Sequence, residues 1–504
     1  MTARSRAPAP PPAPRRRPAR WLALAALAAL ATSGCQRRSD AGPVVVSVVG
    51  KPPALGDPAR GAIDMPSRML LDSLAQGLVR FDATGQVTPG LAERWTVLDN
   101  GLSYVFRLRD ATWSDGSRVT ADDVVTILKR QIAPQSRNPL APFLTAIDDI
   151  VEMTPNVIEV RLKRPRPDLL RLFAQPELAI LRLRGVAGTG PFRPARRGKG
   201  WVLLRPVFDP VRAATDDVEE PGPAESVELH GERASRAIVR FQSREADLVT
   251  GGSFLDWPLI ASVTDIAPAN LRTEIAGGLF GLVVIRRDGF MATPENRIAI
   301  AQSIDRAALV AAFAPGWTAD EHLLPEQLDS AAPPALPGWA ALSPADRRAG
   351  ARTRVARWRA DHPGPVVIRI GLPKGPGANI LFGFVGASLR SIGIEPQRVP
   401  IGAPADLRLV DAIAPYGSAR WYLGIACQLC SAEARASIIA ARDASDLATR
   451  ARRLAEADAA MAQDCAYIPI ARPLRWSLVA VRLRAWTGNS LAWHPLNDLR
   501  NERR

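Results

Sequence analysis

Residues 104–125, YVFRLRDATWSDGSRVTADDVV, begin with the pattern of a strand and end with the start of a helix. Tyr104, Phe106 and Leu108 occupy alternate positions, and this period of two predicts a half-buried strand. Thr120 stands three residues before Asp123 and just ahead of an apolar run at helical spacing, which predicts a capping box and a helix that begins there. The stretch therefore predicts a strand followed by a helix.

The same stretch contains four carboxylates, Asp110, Asp115, Asp122 and Asp123. Asp115 precedes a glycine, and an Asp-Gly pair is a strong turn signal. Asp122 falls in the first helical turn, where the helix dipole favours a negative charge, and Asp123 completes the capping box. Nothing in the sequence places a nucleophile or a second titrating group beside them. We therefore expect the acids to shape the backbone and not to catalyse a reaction.

The chain begins with an arginine-rich segment followed by WLALAALAALATSGC, residues 21–35. A basic start, a short apolar run and small residues before a cleavage point are typical of a secretory signal, and the run is too short for an ordinary membrane span. TSGC resembles a bacterial lipobox, which predicts that residues 1–34 are removed and that Cys35 is lipidated. Ordinary cleavage nearby is the alternative, and twin-arginine export is less favoured. The expected location is the periplasm or cell envelope, on a lipid anchor at the membrane surface.

The composition argues against nucleic acid as a partner. The formal net charge is +15, of which the leader contributes six arginines, and only five of the 65 basic residues are lysine. The arginines are scattered and do not form a basic stripe with interleaved aromatics.

Cysteines and histidines give no metal or cofactor signature. Beyond Cys35 the chain has Cys427, Cys430 and Cys465, so in an oxidising compartment at most one disulfide forms within it. The four histidines are far apart in sequence, and no phosphate-binding loop or G-x-S-x-G elbow is present. We expect no cofactor, no metal and no enzymatic activity.

Strand-like and helix-like segments alternate through the rest of the chain, which predicts an α/β fold. The predicted strands are 44–49, 201–207, 281–285, 366–372 and 477–486, and the predicted helices are 67–79, 295–313, 380–394 and 446–464.

Several of these segments match one family in order and spacing. They are LGDP (55–58), residues 70–125 as the densest match, GTGPF (188–192), READLV (244–249), residues 296–313, LRSIGIEP (389–396) and DCAYIPI (464–470). In them the chain resembles the family 5 extracellular solute-binding proteins, the dipeptide- and oligopeptide-binding lipoproteins of bacterial ABC importers.

This resemblance implies a two-lobed periplasmic-binding-protein-like fold with a hinge. Lobe one would be residues 35–275 with an inserted subdomain, lobe two residues 276–474, and residues 475–504 would return to lobe one. A peptide or peptide-like solute would be captured between the lobes and delivered to the importer's membrane subunits.

The resemblance also places a candidate ligand site in RWYLGIACQLCSAEA, residues 420–434. Peptide-binding members have a Trp-containing strand end followed by a loop whose Asp pairs with the ligand's ammonium group. Here Trp421 and Tyr422 offer apolar faces, but the loop residues Cys427, Gln428 and Cys430 include no acid. Since a desolvated ammonium without an anionic partner is costly, we expect a ligand other than an ordinary free-amino peptide.

Two other functions stay open at this stage. A member of the same fold could bind a metal complex or metallophore, although no ligand cluster is visible. Alternatively, Cys427-x-x-Cys430, predicted at a strand-to-helix junction, could make the protein a thiol-redox lipoprotein.

Overall fold

Three large β-sheets organise the part of the chain that the computed structural model describes, residues 41–183, 187–208, 220–326 and 328–500. The strands are β1 Val44–Val49, β2 Val79–Phe81, β3 Val87–Pro89, β4 Ala92–Leu98, β5 Ser103–Leu108, β6 Ile147–Thr154, β7 Val157–Leu162, β8 Leu181–Arg182, β9 Ala187–Gly188, β10 Phe192–Gly198, β11 Trp201–Pro206, β12 Val227–Glu232, β13 Leu248–Ser253, β14 Leu271–Ile275, β15 Gly278–Val284, β16 Val366–Leu372, β17 Ile394–Pro400, β18 Leu407–Ile413, β19 Tyr467–Ala471 and β20 Leu474–Val479. The α-helices are α1 Met65–Leu74, α2 Ala121–Ile132, α3 Leu169–Phe173, α4 Ala234–Gln242, α5 Trp257–Ala261, α6 Pro294–Ser303, α7 Arg306–Ala311, α8 Pro344–Asp361, α9 Pro376–Ser391, α10 Ala419–Ala426, α11 Ala432–Asp443 and α12 Leu447–Asp464.

Sheet 1 has seven strands in the order β10-β11-β12-β1-β13-β20-β14. Its centre is β1, which runs parallel to both β12 and β13. A strand covered on both faces needs a continuous apolar run, and VVVSVV supplies one that is buried at five of its six positions. The late strand β20 pairs antiparallel with β13 and β14, so the chain returns to this sheet near its end.

Sheet 2 has five strands in the order β17-β16-β18-β15-β19. All seven residues of β15 are buried, and this strand pairs antiparallel with β18 and β19. The parallel pair β16 and β17 is joined by α9, which is the usual way to connect parallel neighbours. Helices α10, α11 and α12 lie between β18 and β19 in the chain.

Sheet 3 is an antiparallel sheet of four strands, β4-β5-β7-β6, inserted in sequence between β1 and β10 of sheet 1. Tyr104, Phe106 and Leu108 of β5 are buried, which confirms the strand predicted from their alternation. The capping box is confirmed as well, because Thr120 and Asp123 bond each other's backbone N–H groups at the start of α2.

Some predicted boundaries were wrong. The helix predicted over 67–79 ends at Leu74, and the strand predicted over 477–486 is Leu474–Val479. The helix predicted over 295–313 is two helices, because Asp305 accepts a hydrogen bond from the Ala308 N–H and starts α7 as a new helix. The turn predicted at Asp115-Gly116 is present, flanked by a single bridge between Thr112 and Arg118.

Candidate functional site

Two short connections join sheet 1 to sheet 2. Ala276 and Gly277 lie between β14 and β15, and Arg472 and Pro473 lie between β19 and β20. The connections run side by side, since the Ala276 N–H donates to the Pro473 carbonyl oxygen at 2.9 Å. Because each crossover has only two residues and the two are hydrogen-bonded to each other, few backbone dihedral angles can change there. Motion between sheet 1 and sheet 2 is therefore expected to be a rotation about the crossovers.

An ion pair crosses the same junction. Arg475 of β20 contacts Asp411 of β18 at 2.9 Å, and both side chains are mostly buried. Burial raises the pKa of Asp411, while the Arg475 guanidinium acts to lower it. Arg472 is fixed in turn by an ion pair with Asp320 at 2.7 Å and by donation to the Gly278 carbonyl oxygen. The Arg475–Asp411 pair therefore links sheet 1 to sheet 2, and Arg472 of the second crossover is held by Asp320 and the start of β15.

A second contact joins sheet 3 and its loops to the segment after β18, residues 414–418. Gln175 Nε2 donates to the Pro415 carbonyl oxygen at 2.6 Å. The rings of Phe143 and Tyr416 meet edge to face at 5.8 Å. Arg420 Nη2 donates to the Pro142 carbonyl oxygen at 2.6 Å. Sheet 3 with its loops therefore touches the segment that follows β18 of sheet 2, and we call these two bodies the jaws. The segment begins at the crossover itself, because the Ala414 N–H donates to the Gly277 carbonyl oxygen at 2.8 Å.

The structure places Trp421 and Tyr422 in helix α10, and the predicted strand end at this point is wrong. Both side chains are buried, with exposures of 4% and 2%, and their rings pack edge to face at 5.0 Å. Burial raises the pKa of Tyr422. In this conformation both residues belong to a core between the helices and sheet 2, with no face open to solvent.

Cys427 and Cys430 are joined by a disulfide. They follow α10 and precede α11, so the predicted strand-to-helix junction is a helix-to-helix junction. Gln428 is exposed at the loop surface, and Arg287 Nε donates to the Leu429 carbonyl oxygen at 2.6 Å. Cys465 keeps a free, buried thiol, and burial raises its pKa to about 12.

The loop that follows a strand in this region is residues 414–418, APYGS, after β18 ends at Ile413. Neither this loop nor the segment 420–430 contains an acid. The nearest acid in the strand, Asp411, is already paired with Arg475. Neither the loop after β18 nor the segment identified from the resemblance therefore supplies an acid of its own.

Asp115 and Asp123 have the turn and capping partners that the sequence predicted for them, and Asp110 has a partner that was not predicted. The Asp115 side chain accepts from the Ser117 hydroxyl and backbone N–H, which lowers its pKa. Partial burial would raise the pKa of Asp123, but hydrogen bonds from Arg182 and Thr120 outweigh it and lower the pKa. Asp110 forms an exposed ion pair with Arg118.

A separate cleft of about 920 Å³ lies between the β2–β3 hairpin, the segment after β5 and the start of β10. Its lining includes several arginines and two acids, namely Arg80, Arg109, Arg193, Arg484, Asp82 and Asp110. Sequence reasoning did not identify this cleft, because its residues come from segments far apart in the chain.

Cys35 lies outside the described residues. Within the described ranges, no helix has the length and apolarity needed to cross a bilayer, and no group of three or more His, Cys, Asp or Glu side chains is arranged to hold a metal ion.

Comparison with known proteins gives consistent results. The model of the bacterial extracellular solute-binding proteins, family 5 middle region, matches residues 86–349. The probable deoxycholate-binding periplasmic protein YgiS of Escherichia coli K12 is 33% identical over 144 residues, which cover 25% of this chain and 27% of that protein. The periplasmic murein peptide-binding protein MppA of the same organism is 39% identical over 92 residues, 18% of this chain and 17% of that protein. These alignments span at most about a quarter of each relative's length.

Solved structures share the fold over almost the whole chain. The E. coli murein tripeptide-binding protein MppA has a TM-score of 0.76 at 17% identity, covering 90% of this chain and 97% of its own. The Haemophilus influenzae OppA complex with RPPGFSPFR has a TM-score of 0.75 at 17% identity, covering 91% and 99%. These are two-lobed binding proteins, and the α/β fold predicted from the sequence is confirmed.

Proposed function

The chain belongs to the family 5 bacterial extracellular solute-binding proteins, and we propose that it captures a peptide or peptide-like solute between two lobes and delivers it to an ABC importer. The observation that carries this proposal is the pair of adjoining two-residue crossovers at 276–277 and 472–473, together with the contacts that Gln175 and Arg420 make between the jaws. A hinge of this kind couples solute binding to closure, because a solute that touches both jaws favours the closed form.

The proposed lobes keep the boundaries expected from the sequence. Lobe one is residues 35–275 with sheet 3 in its inserted subdomain, and residues 475–504 return to it. Lobe two is residues 276–474. The support is that β15, the first strand of sheet 2 in the chain, begins at Gly278, and that β20 at Leu474–Val479 pairs in sheet 1.

No bond-making step is assigned to this protein. A carrier of this type works by binding and release, and the acids of residues 104–125 are engaged in a turn, a cap and ion pairs. The partners are the solute, the membrane subunits of the importer, and a membrane surface held through lipidated Cys35.

The solute class follows from the segments after β18. Residues 414–418 and 420–430 contain no acid. Asp329 does reach this segment, where it accepts from the Ser418 hydroxyl and the Ala419 N–H, but it is paired with Arg450. An ammonium group buried there would therefore lack a free anionic partner. We propose that the solute has no free amine at this position. The similarity to a protein named as deoxycholate-binding favours an amine-free carboxylate as the second candidate, since deoxycholate has a carboxylate and no amine.

The test is to identify what the protein carries and whether it closes on it. Mature protein purified without denaturation is extracted with organic solvent, and the released small molecules are identified by mass spectrometry. Small-angle scattering of stripped protein is then compared with protein to which the identified molecule has been returned. A smaller radius of gyration in the bound form is expected. Identical scattering at saturating solute would rule out closure.

The lipid anchor has its own test. Wild-type protein should partition into the detergent phase of a Triton X-114 extract, and Cys35→Ser should move it to the aqueous phase. Unchanged partitioning of Cys35→Ser would show that Cys35 is not the anchor.

A further inference from the structure

Four arginine side chains meet where the loop after β7 touches the helices after β18, with the backbone of a fifth, Arg442, at the rim. We call this group the arginine junction. Arg164 and Arg166 come from that loop, and Arg420, Arg442 and Arg450 come from α10, α11 and α12. Arg166 Nη2 donates to the Arg442 carbonyl oxygen at 2.7 Å, and Arg164 forms an ion pair with Asp443 at 3.0 Å. Each jaw therefore contributes side chains that reach the other.

Positive charge exceeds negative charge in the arginine junction. The acids nearby are Asp168, Asp329 and Asp443. Asp329 is paired with Arg450, and Asp443 is shared between Arg442 and Arg164. Burial raises the pKa of Asp168 to about 6, and the Asp329 charge adds to the effect. Burial lowers the pKa of Arg166 to about 9, and the charges of Arg450, Arg420 and Arg164 lower it further. Such an excess is costly in a dry environment unless an anion balances it.

Several donors in the junction also lack acceptors. The Nε atoms of Arg164, Arg166 and Arg450 are buried and have no hydrogen-bond partner among the described residues. Arg166 and Arg450 are 6% and 3% exposed, although their terminal nitrogens are bonded to backbone and side-chain oxygens. Buried N–H groups without acceptors are rare in folded proteins.

We propose that the arginine junction binds a small oxyanion or carboxylate, whose oxygens accept from these Nε–H groups and balance the excess charge. Guanidinium groups recognise planar and tetrahedral oxyanions through such donors. Because the arginines come from both jaws, the bound anion would favour the closed arrangement. The anion has two possible sources, a free ion or a carboxylate of the captured solute, and the second of these rests on the proposed function.

The first arm of the test uses free anions and no solute. Mature protein in a low-salt buffer of bulky sulfonate is titrated with sodium phosphate or sodium acetate at constant ionic strength, and binding is followed by calorimetry and by the rise in Tm. Wild type should bind saturably. Arg166→Gln should weaken binding at least tenfold, whereas Arg357→Gln, which removes an exposed arginine on α8, should leave it unchanged. Arg166→Lys keeps the charge but has no Nε–H in that position, so it should also weaken binding. It serves as a second variant in case Arg166→Gln does not fold.

The second arm uses N-acetyl-trialanine and N-acetyl-trialanine amide, which have no free amine and differ only in the terminal carboxylate. If the solute supplies the carboxylate, the free acid binds at least tenfold more tightly than the amide, and Arg166→Gln removes the difference. If a free ion fills the junction, both peptides bind alike and both tighten when phosphate is present.

The outcomes separate this inference from the proposed function. Saturable anion binding that Arg166→Gln removes, with no binding of either peptide, would leave the anion site standing and count against these peptides as solutes. No anion binding together with equal, phosphate-independent peptide binding would overturn the anion site, since the Nε–H groups would then bond water. Anion binding that persists in both Arg166 variants would overturn it as well.

Discussion

At the scale of single residues, Asp123 connects the cap of α2 to its surroundings. It accepts from the Thr120 backbone N–H and receives two hydrogen bonds of 2.7 Å from Arg182. Asp123→Ala should lower the free energy of unfolding by about 0.5–2 kcal/mol through the lost cap, with solute affinity changed no more than a few-fold. Urea denaturation checks the first value and calorimetry the second.

Asp122→Ala is the matched control, because Asp122 lies in the same helical turn without a capping bond. It should cost less than Asp123→Ala. Solute affinity that collapses in Asp123→Ala while stability is retained would contradict the structural role of these acids.

The cysteines give a second residue-scale prediction. With Cys427 and Cys430 joined and Cys465 buried, a Cys35→Ser mature protein should show no thiol reactive with Ellman's reagent in the native state. Denaturation without reductant should expose one thiol, and denaturation after reduction should expose three. Two reactive thiols in the native protein would instead favour the reduced pair of a thiol-redox protein.

Sequence reasoning at this scale was right about the turn and capping acids, Asp115 and Asp123, while the ligand loop at 420–430 stays a prediction. A capping box and an Asx turn depend on neighbours within three residues, so local spacing is enough to predict them. Trp421 was placed at a strand end by the resemblance, and the residues themselves could not correct this, because RWYLGIA is a short apolar run in which strand and helix look alike. The contacts of Gln175 and Tyr416 join distant segments, and no local signal marks them.

At the scale of elements, the start of β15 fixes how closely the crossover approaches β18. Gly278 has φ +154°, and a Cβ there would lie 2.1 Å from the Ala412 carbonyl oxygen. Since a backbone atom cannot move aside as a side chain can, Gly278→Ala should cost about 1–3 kcal/mol, measured as a fall in the denaturation midpoint.

The neighbouring glycine provides the comparison. At Gly277 an added Cβ would be 3.5 Å from the Tyr422 hydroxyl, which is ordinary contact. Gly277→Ala should therefore change stability by less than Gly278→Ala does. Equal effects of the two substitutions would mean that the pairing of β15 with β18 shifts to accept the added Cβ more easily than the structure indicates.

Most elements were predictable, but several of their ends were not. The continuous apolar run of β1 and the amphipathic pattern of α12 are strong signals, and both elements are present. Helices α6 and α7 share one apolar period, which hid the break between them. Asp305 could have shown the break. Asp is a preferred N-cap residue, and here its side chain accepts from the Ala308 N–H, three residues later.

At the scale of the whole molecule, pairing between strands could not be predicted from periodicity alone. β1 pairs with β12, about 180 residues later in the chain, and such partners leave no mark in local spacing. The resemblance supplied the two-lobed arrangement that the fold confirms. The jaw contacts and the arginine junction join loops that are far apart in the chain, and no local sequence pattern in these loops marks the contacts.

The buried carboxyl group of Asp168 leads us to expect that closure depends on pH. The groups that act on Asp168 are Asp329, Arg450, Arg171 and Arg166, and burial raises its pKa from 3.8 to about 6. A raised carboxyl pKa means that the closed form binds a proton more tightly than an open form in which Asp168 meets water. The contribution to closure is therefore fully present below about pH 4 and is lost as the pH rises through about 6.

Scattering of the solute-bound protein should accordingly show more of the compact form at pH 5 than at pH 7.5 at subsaturating solute. Asp168→Asn should flatten this dependence, while Asp110→Asn, at an exposed ion pair, should not. A dependence of opposite sign in wild type would contradict the assignment to Asp168.

The chemistry of the solute's amino end is the remaining whole-molecule prediction. Segments 414–418 and 420–430 offer carbonyl, hydroxyl and amide groups but no carboxylate, and neutral groups compensate poorly for the lost hydration of an ammonium ion. N-acetylated peptides should therefore bind at least as tightly as their free-amino counterparts, by calorimetry on matched tri- and tetrapeptides. As a gain-of-function control, Pro415→Asp places a carboxylate beside the Gln175 contact and should shift the preference toward the free amine. Tight binding of the free-amino series that acetylation abolishes in wild type would show that an acid elsewhere in the cleft, not in these two segments, pairs with the ammonium group.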